Sequence, residues 1–201
     1  QAEKLFYMYS QSLYKTEQYG LAAYQFESFS STYPKSEKAE EAFYLSAKCF
    51  ANISPRYSLD QVDTNKALAK MQEYIDRYPE SKNMDEANEI TRVLRNKLEQ
   101  KAFENAKQFN TISDYKASIV ALDNFIVDFP GTPYKEDALY IKLDSAYLLA
   151  INSVQSKMEE RLNNAKVAYE NLIKFNNETK YKNKADKMLA SIEKELQQFS
   201  K

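Results

Sequence analysis

Small and large apolar residues recur along this chain at fixed distances from an aromatic–Pro pair, with polar residues between them, and the pattern is written four times. Residues 19–36 read YGLAAYQFESFSSTYPKS, residues 65–81 NKALAKMQEYIDRYPES and residues 115–132 YKASIVALDNFIVDFPGT. A decayed fourth copy, residues 162–177, reads LNNAKVAYENLIKFNN. Aligned on Tyr33, Tyr78, Phe129 and Asn176, the residue 11 positions earlier is small: Ala22, Ala67, Ser118 and Ala165. Seven positions earlier stand Phe26, Met71, Leu122 and Tyr169, and four earlier Phe29, Tyr74, Phe125 and Leu172. Spacings of 11, 7 and 4 mark one face of a helix. The Pro that follows in three copies stops it, because Pro lacks an N–H and disfavours helix in the residue before it. Eight residues after Pro34, Pro79, Pro130 and Asn177 stand Ala42, Ala87, Ala138 and Ala185, each on a following helix. The pattern predicts an all-α chain of antiparallel helix pairs stacked into a right-handed superhelix.

Extended along the chain, the periodicity predicts nine helices, at about 2–16, 18–33, 36–53, 64–78, 82–109, 112–129, 133–154, 158–176 and 181–199, in one repeat domain over 1–201. Ser36, Thr64, Ser81 and Ser113 are expected as helix caps. Ala87, Ile90, Leu94, Leu98, Ala102, Ala106 and Phe109 step by three or four, so 82–109 reads as one helix of roughly 40 Å. Phe26, Leu122 and Phe125 are expected in the core, as are Tyr24, Tyr44, Tyr74, Tyr140, Tyr147 and Tyr169. Two stretches stand apart. Tyr7, Tyr9 and Tyr14 crowd two sides of the first helix, more apolar surface than one neighbour covers; either an upstream repeat packs there or the edge binds a peptide. Residues 54–64, SPRYSLDQVDT, interrupt a helix pair, and Pro55, Arg56, Tyr57 and Asp60 make either a structural plug, with Arg56 paired to Asp60, or a contact loop.

The second helices resemble the tetratricopeptide repeat: a small residue (Ala22, Ala67), an aromatic or large residue (Phe26, Met71), a second apolar residue (Phe29, Tyr74) and a closing Pro (Pro34, Pro79) fit its spacing without a gap. The first helices lack that family's Trp-Leu-Gly phrase, and the repeat periods of 45, 51 and 47 residues exceed its usual length of about 34. In such repeats the small residue lets two helices approach closely while the aromatic fills the gap between units.

Composition narrows the function more than it names it. The chain has no His and one Cys, a net charge of −1, two Gly and 16 Tyr. Without His the usual general base and commonest metal ligand are gone, and no phosphate loop, HExxH or CxxC motif is present. The carboxylates Glu37, Glu40, Glu41, Glu159 and Glu160 read as solvated helix N-termini, and Cys49 as a buried thiol. No enzyme activity, metal, cofactor or nucleic-acid partner is expected. The chain begins at Gln1 inside a helical pattern, so the expectation is a fragment whose targeting segment lies upstream.

Four segments carry a closer resemblance: YPKSEKAEEAFYLSAKCF (33–50), SPRYSLDQVDTNKAL (54–68), YIDRYPES (74–81) and DNFIVDFPGTPYKEDALY (123–140). Together they are similar to the BamD-like family of outer-membrane β-barrel assembly lipoproteins, in its Bacteroidetes-like form. The resemblance implies a non-enzymatic scaffold, lipid-anchored at the periplasmic face of the outer membrane. It implies a POTRA domain of the central barrel assembly protein as one partner and unfolded outer-membrane proteins as the other. Carried over by position, the POTRA surface involves Tyr134, Lys135, Glu136, Asp137 and Arg161, with Glu136 standing where relatives are expected to have a basic residue. The substrate side involves Tyr7, Tyr14, Arg56 and Tyr57 on the N-terminal repeats. The alternative is a periplasmic repeat protein similar to the Tol–Pal-associated coordinators, whose Tyr-Trp-Leu-Gly phrase this Trp-free chain lacks. A cytosolic chaperone adaptor would need Lys, Asn and Arg converging on one groove, and no such set stands at repeat spacing.

Overall fold

The ladder folds as it reads. The computed structural model describes residues 1–199, and among them it contains nine α-helices, a terminal 3-10 turn and no strand. The helices are α1 (Ala2–Lys15), α2 (Tyr19–Thr32), α3 (Ala39–Ile53), α4 (Val62–Arg77), α5 (Met84–Thr111), α6 (Tyr115–Asp128), α7 (Lys135–Ile151), α8 (Gln155–Phe175) and α9 (Lys182–Leu196). Every small ladder residue is fully buried: Ala22, Ala67, Ser118 and Ala165 on the second helices, and Ala42, Ala87, Ala138 and Ala185 on the helices that follow. The large positions Phe26, Phe29, Met71, Tyr74, Leu122, Phe125 and Leu172 are buried beside them, and only Tyr169 stays half-exposed. A small residue at each crossing is what allows these neighbours to interlock at close range.

The chain, read from its sequence as one repeat domain, packs as two compact units, Gln1–Leu98 and Glu99–Lys201. In the first unit α1 to α4 pack in sequence and the first half of α5 adds Ala87 and Leu94. Its core joins Tyr7, Phe26, Phe29, Cys49, Phe50 and Leu94 to a second cluster of Phe43, Tyr44, Met71 and Tyr74. In the second unit Phe103 and Ala106 from the end of α5 meet Leu122, Phe125 and Ala138. A larger cluster there runs from Leu139 and Leu143 through Leu162, Ala165 and Leu172 to Ile192.

Each repeat ends in the same turn. The N–H of Ser36, Ser81, Thr132 and Thr179 donates to the carbonyl of the residue three before it, Tyr33, Tyr78, Phe129 and Asn176. The hydroxyl then accepts from the N–H two residues on, at Lys38, Asn83, Tyr134 and Tyr181. Thr179 preserves the turn in the copy that has Asn177 for Pro. The Ser positions are therefore turn residues, and α3 and α7 begin two to three residues later than the sequence predicts, behind Lys38 and Tyr134.

The other two expected caps are corrected as well. Thr64 lies inside α4, where its hydroxyl bonds Gln61 Oε1. Ser113 takes φ 63° and leaves the capping of α6 to Asp114, whose carboxylate accepts from Ala117 N–H. Glu17 (φ 58°) occupies the matching position after α1. There Gln18 N–H closes on Leu13 O, as Asp114 N–H closes on Phe109 O. These are left-handed helix ends made without Gly, a conformation that costs a side-chain-bearing residue about 1–2 kcal/mol. Tyr24, expected in the core, is 55% exposed, because α3 covers only the inner face of α2.

Candidate binding surfaces

The N-terminal edge is built by α1 and α2. Tyr7 is buried rather than offered to a partner, its ring 5.2 Å from that of Phe29 and 6.0 Å from that of Phe26. Burial and the Glu41 carboxylate push its hydroxyl well above the ordinary tyrosine range. Tyr14 is half-buried against Tyr19 and Phe26. What stays open is Tyr9 together with Leu5 and Met8, which the sequence pattern did not single out, all three more than half exposed. They follow an i, i+3, i+4 spacing, which is the signal that locates them. Beside them Gln1, Lys4, Tyr7, Met8, Phe29 and Lys38 line a hollow of about 460 Å³.

The loop before α4 is a packed plug. Gln61 is buried and its side-chain amide donates to the carbonyls of Arg56, Tyr57, Leu59 and Asp60 at 2.9–3.3 Å. Lys97 reaches in from α5 to Ser54 O and Oγ, and burial holds its ammonium below the usual lysine range. Asp60 accepts from Val62 N–H at 2.8 Å and serves as the start of α4 instead of pairing with Arg56. Arg56 is exposed and Tyr57 half-buried.

At the start of α7 the expected partner residues already touch their own chain. Tyr134 stacks on Phe103 with centroids 5.1 Å apart, Lys135 Nζ lies 5.4 Å over the Phe175 ring, and Glu136 accepts from Asn176 Nδ2 at 3.2 Å. Asp137 accepts from Tyr181 Oη and pairs with Lys180, both at 2.5 Å, while Tyr140 and Tyr181 stack at 3.9 Å. The Phe103 stack ties the start of α7 to α5, and the other contacts tie it to the end of α8 and the turn before α9. Arg161 is not with them. Its guanidinium donates to Ser153 Oγ past the C-terminal end of α7, about 25 Å along that 17-residue helix from Tyr134. There it lines a groove of about 250 Å³ with Ile119, Asp123, Lys142, Ala146 and Leu149 among its walls.

Among the described residues no three His, Cys, Asp or Glu side chains gather as a metal site, and no helix is long and apolar enough to cross a membrane. The family model described as outer membrane lipoprotein, YfiO, matches residues 1–112 and 100–199, which takes in both units. The outer membrane protein assembly factor BamD of Caulobacter vibrioides is 27% identical over 135 residues. That alignment takes in 67% of this chain and 44% of the relative, so the chain spans less than half the relative's length.

Proposed function

The chain belongs to the YfiO family of outer membrane lipoproteins, and from that membership we propose that it is a non-enzymatic scaffold of outer-membrane β-barrel assembly. The observation that carries the reading is the family match over both units, joined to a helical repeat written four times. In this reading the protein works at the periplasmic face of the outer membrane, held there by a lipid anchor outside these residues. The second unit docks a POTRA domain of the central barrel assembly protein. The first unit meets unfolded outer-membrane proteins through the Leu5, Met8 and Tyr9 strip and the Arg56 and Tyr57 side of the loop.

The proposed POTRA contacts are Tyr134, Lys135, Glu136 and Arg161. Because Tyr134 stacks on Phe103, its replacement would disturb the fold as well as the surface, so the exposed faces of Lys135 and Glu136 are the sharper probes. Capture of the cognate POTRA domain should fall about tenfold for Lys135→Glu with Glu136→Lys, and again for Arg161→Glu, the order of loss expected for a broken interfacial charge contact. Capture at wild-type strength by both variants would sink the surface. No capture by the unmutated chain would sink the POTRA reading.

A further inference from the structure

The two units share a register, and where they differ a groove opens. In the first unit α2 and α4 flank α3; in the second α6 and α8 flank α7. Counting back from Tyr33 and Phe129, Tyr24 matches Val120 and Glu27 matches Asp123. Counting forward from Pro34 and Pro130, Ser46 matches Lys142 and Phe50 matches Ala146. Counting back from Tyr78 and Asn176, Lys66 matches Asn164 and Lys70 matches Ala168.

In the first unit these side chains fill the space between the flanking helices. Tyr24 meets Phe50 edge-on at 5.6 Å. Lys66 Nζ donates to Tyr24 Oη at 2.8 Å and lies 4.4 Å over the Phe50 ring. Lys70 Nζ crosses to Glu27 at 2.7 Å. Beside the Glu27–Lys70 pair lies a pocket of only about 10 Å³, at the lower limit of what one water needs.

In the second unit each matching side chain is shorter or drawn aside. Val120, Ala146, Asn164 and Ala168 cannot reach across, and Asp123 is held by Lys142 of α7 at 2.5 Å instead of by a strut from α8. The result is the groove of about 250 Å³, floored by Ala146 and Leu149, with Ile119 and Val167 on its walls. Arg161, Asn164, Ala168 and Asn171 run along one stripe of α8 for about 15 Å.

We infer that this α6–α8 groove docks an extended segment of a partner polypeptide, one that carries an acidic side chain beside apolar ones. Charge selects the acid: Lys142 is neutralised by Asp123, whereas Arg161 is bonded only to the neutral Ser153 hydroxyl and makes no ion pair among the described residues. The apolar floor selects the neighbouring side chains, and the Asn164 and Asn171 amides suit a backbone that has free N–H and C=O groups. A strand advancing about 3.3 Å per residue crosses the groove in about five residues. The inference does not rest on the POTRA assignment.

The test grafts the closed unit onto the open one. A fluorescein-labelled peptide of about six residues, alternating Glu and Leu, is titrated against the whole chain by anisotropy, with a Lys–Leu peptide as control. The acidic peptide should bind and the basic one should not. Asp123→Glu with Lys142→Ser and Ala168→Lys rebuilds the first unit's strut and should weaken binding about tenfold or more, with the helical circular dichroism unchanged. Arg161→Glu should reverse the preference toward the basic peptide, and it decides the matter if the triple variant does not fold. Binding of neither peptide, equal binding of both, or wild-type affinity in the variants would overturn the inference. POTRA capture is read separately, so a failure here leaves that reading standing.

Discussion

Two side chains show how position, not type, sets chemistry in this protein. Cys49 lies fully buried in the first unit's core, and burial pushes its thiol up to about 12, with Lys48 acting the other way. Thiolate is the reactive form, so the native protein should resist a maleimide at pH 8 and react fully once unfolded in denaturant. Rapid labelling of the folded chain would show that α3 does not seal the site. Asp137 moves in the opposite direction. Burial raises it, but hydrogen bonds from Lys180 and Tyr181 win, and its carboxyl sits below the usual range. An acid whose folded pKa lies below the unfolded value of about 3.9 stabilises the fold above that value and loses the contribution as pH falls through the folded pKa. Asp137→Asn should therefore lower Tm at pH 7, with the gap to wild type closing below about pH 4. A gap that persists undiminished at pH 3 would mean that the residue acts through packing instead.

At the scale of the element, the loop before α4 depends on one amide. Gln61→Ala leaves the carbonyls of residues 56, 57, 59 and 60 without their shared donor, a loss of about 1–3 kcal/mol. A lowered urea midpoint and faster tryptic cleavage at Arg56 would report it, and unchanged values for both would show the loop held by something else. Nothing in the string SPRYSLDQVDT told a plug from a contact loop, because the decisive bonds run from a side chain to carbonyls that any sequence supplies. The helices were legible for the opposite reason: Ala22, Ala67, Ser118 and Ala165 can be small only if something packs against them, and all four are fully buried. Their ends were less so, since Ser36 and Ser81 carry cap chemistry but spend it on the turn. The candidate surfaces were the least legible. A helical wheel places Tyr7 and Tyr24 on faces but does not say which face a neighbour covers: Tyr7, expected on the substrate side, is buried, and Tyr24, expected in the core, is exposed. The α6–α8 groove was invisible because it consists of side chains that are short, Asn164 and Ala168 among them, and shortness means something only beside Lys66 and Lys70 of the other unit.

Across the whole molecule a net charge of −1 supplies little long-range steering, so recognition has to come from local surfaces of the kind described above. The same locality governs stability. In a repeat array each unit is stabilised by its nearest neighbours, and damage stays near its origin. Phe26 belongs to the core of residues 1–98 and Leu143 to the cluster gathered around α7, α8 and α9. Truncating either to Ala should cost about 2–5 kcal/mol. Amide exchange should show where that cost falls. Phe26→Ala should raise exchange through α1 to α4 while the amides of α7 to α9 keep most of their protection, and Leu143→Ala should do the reverse. Equal loss of protection in both units from either substitution would show that the chain unfolds as one cooperative block, and the two cores would then have to be treated as a single one.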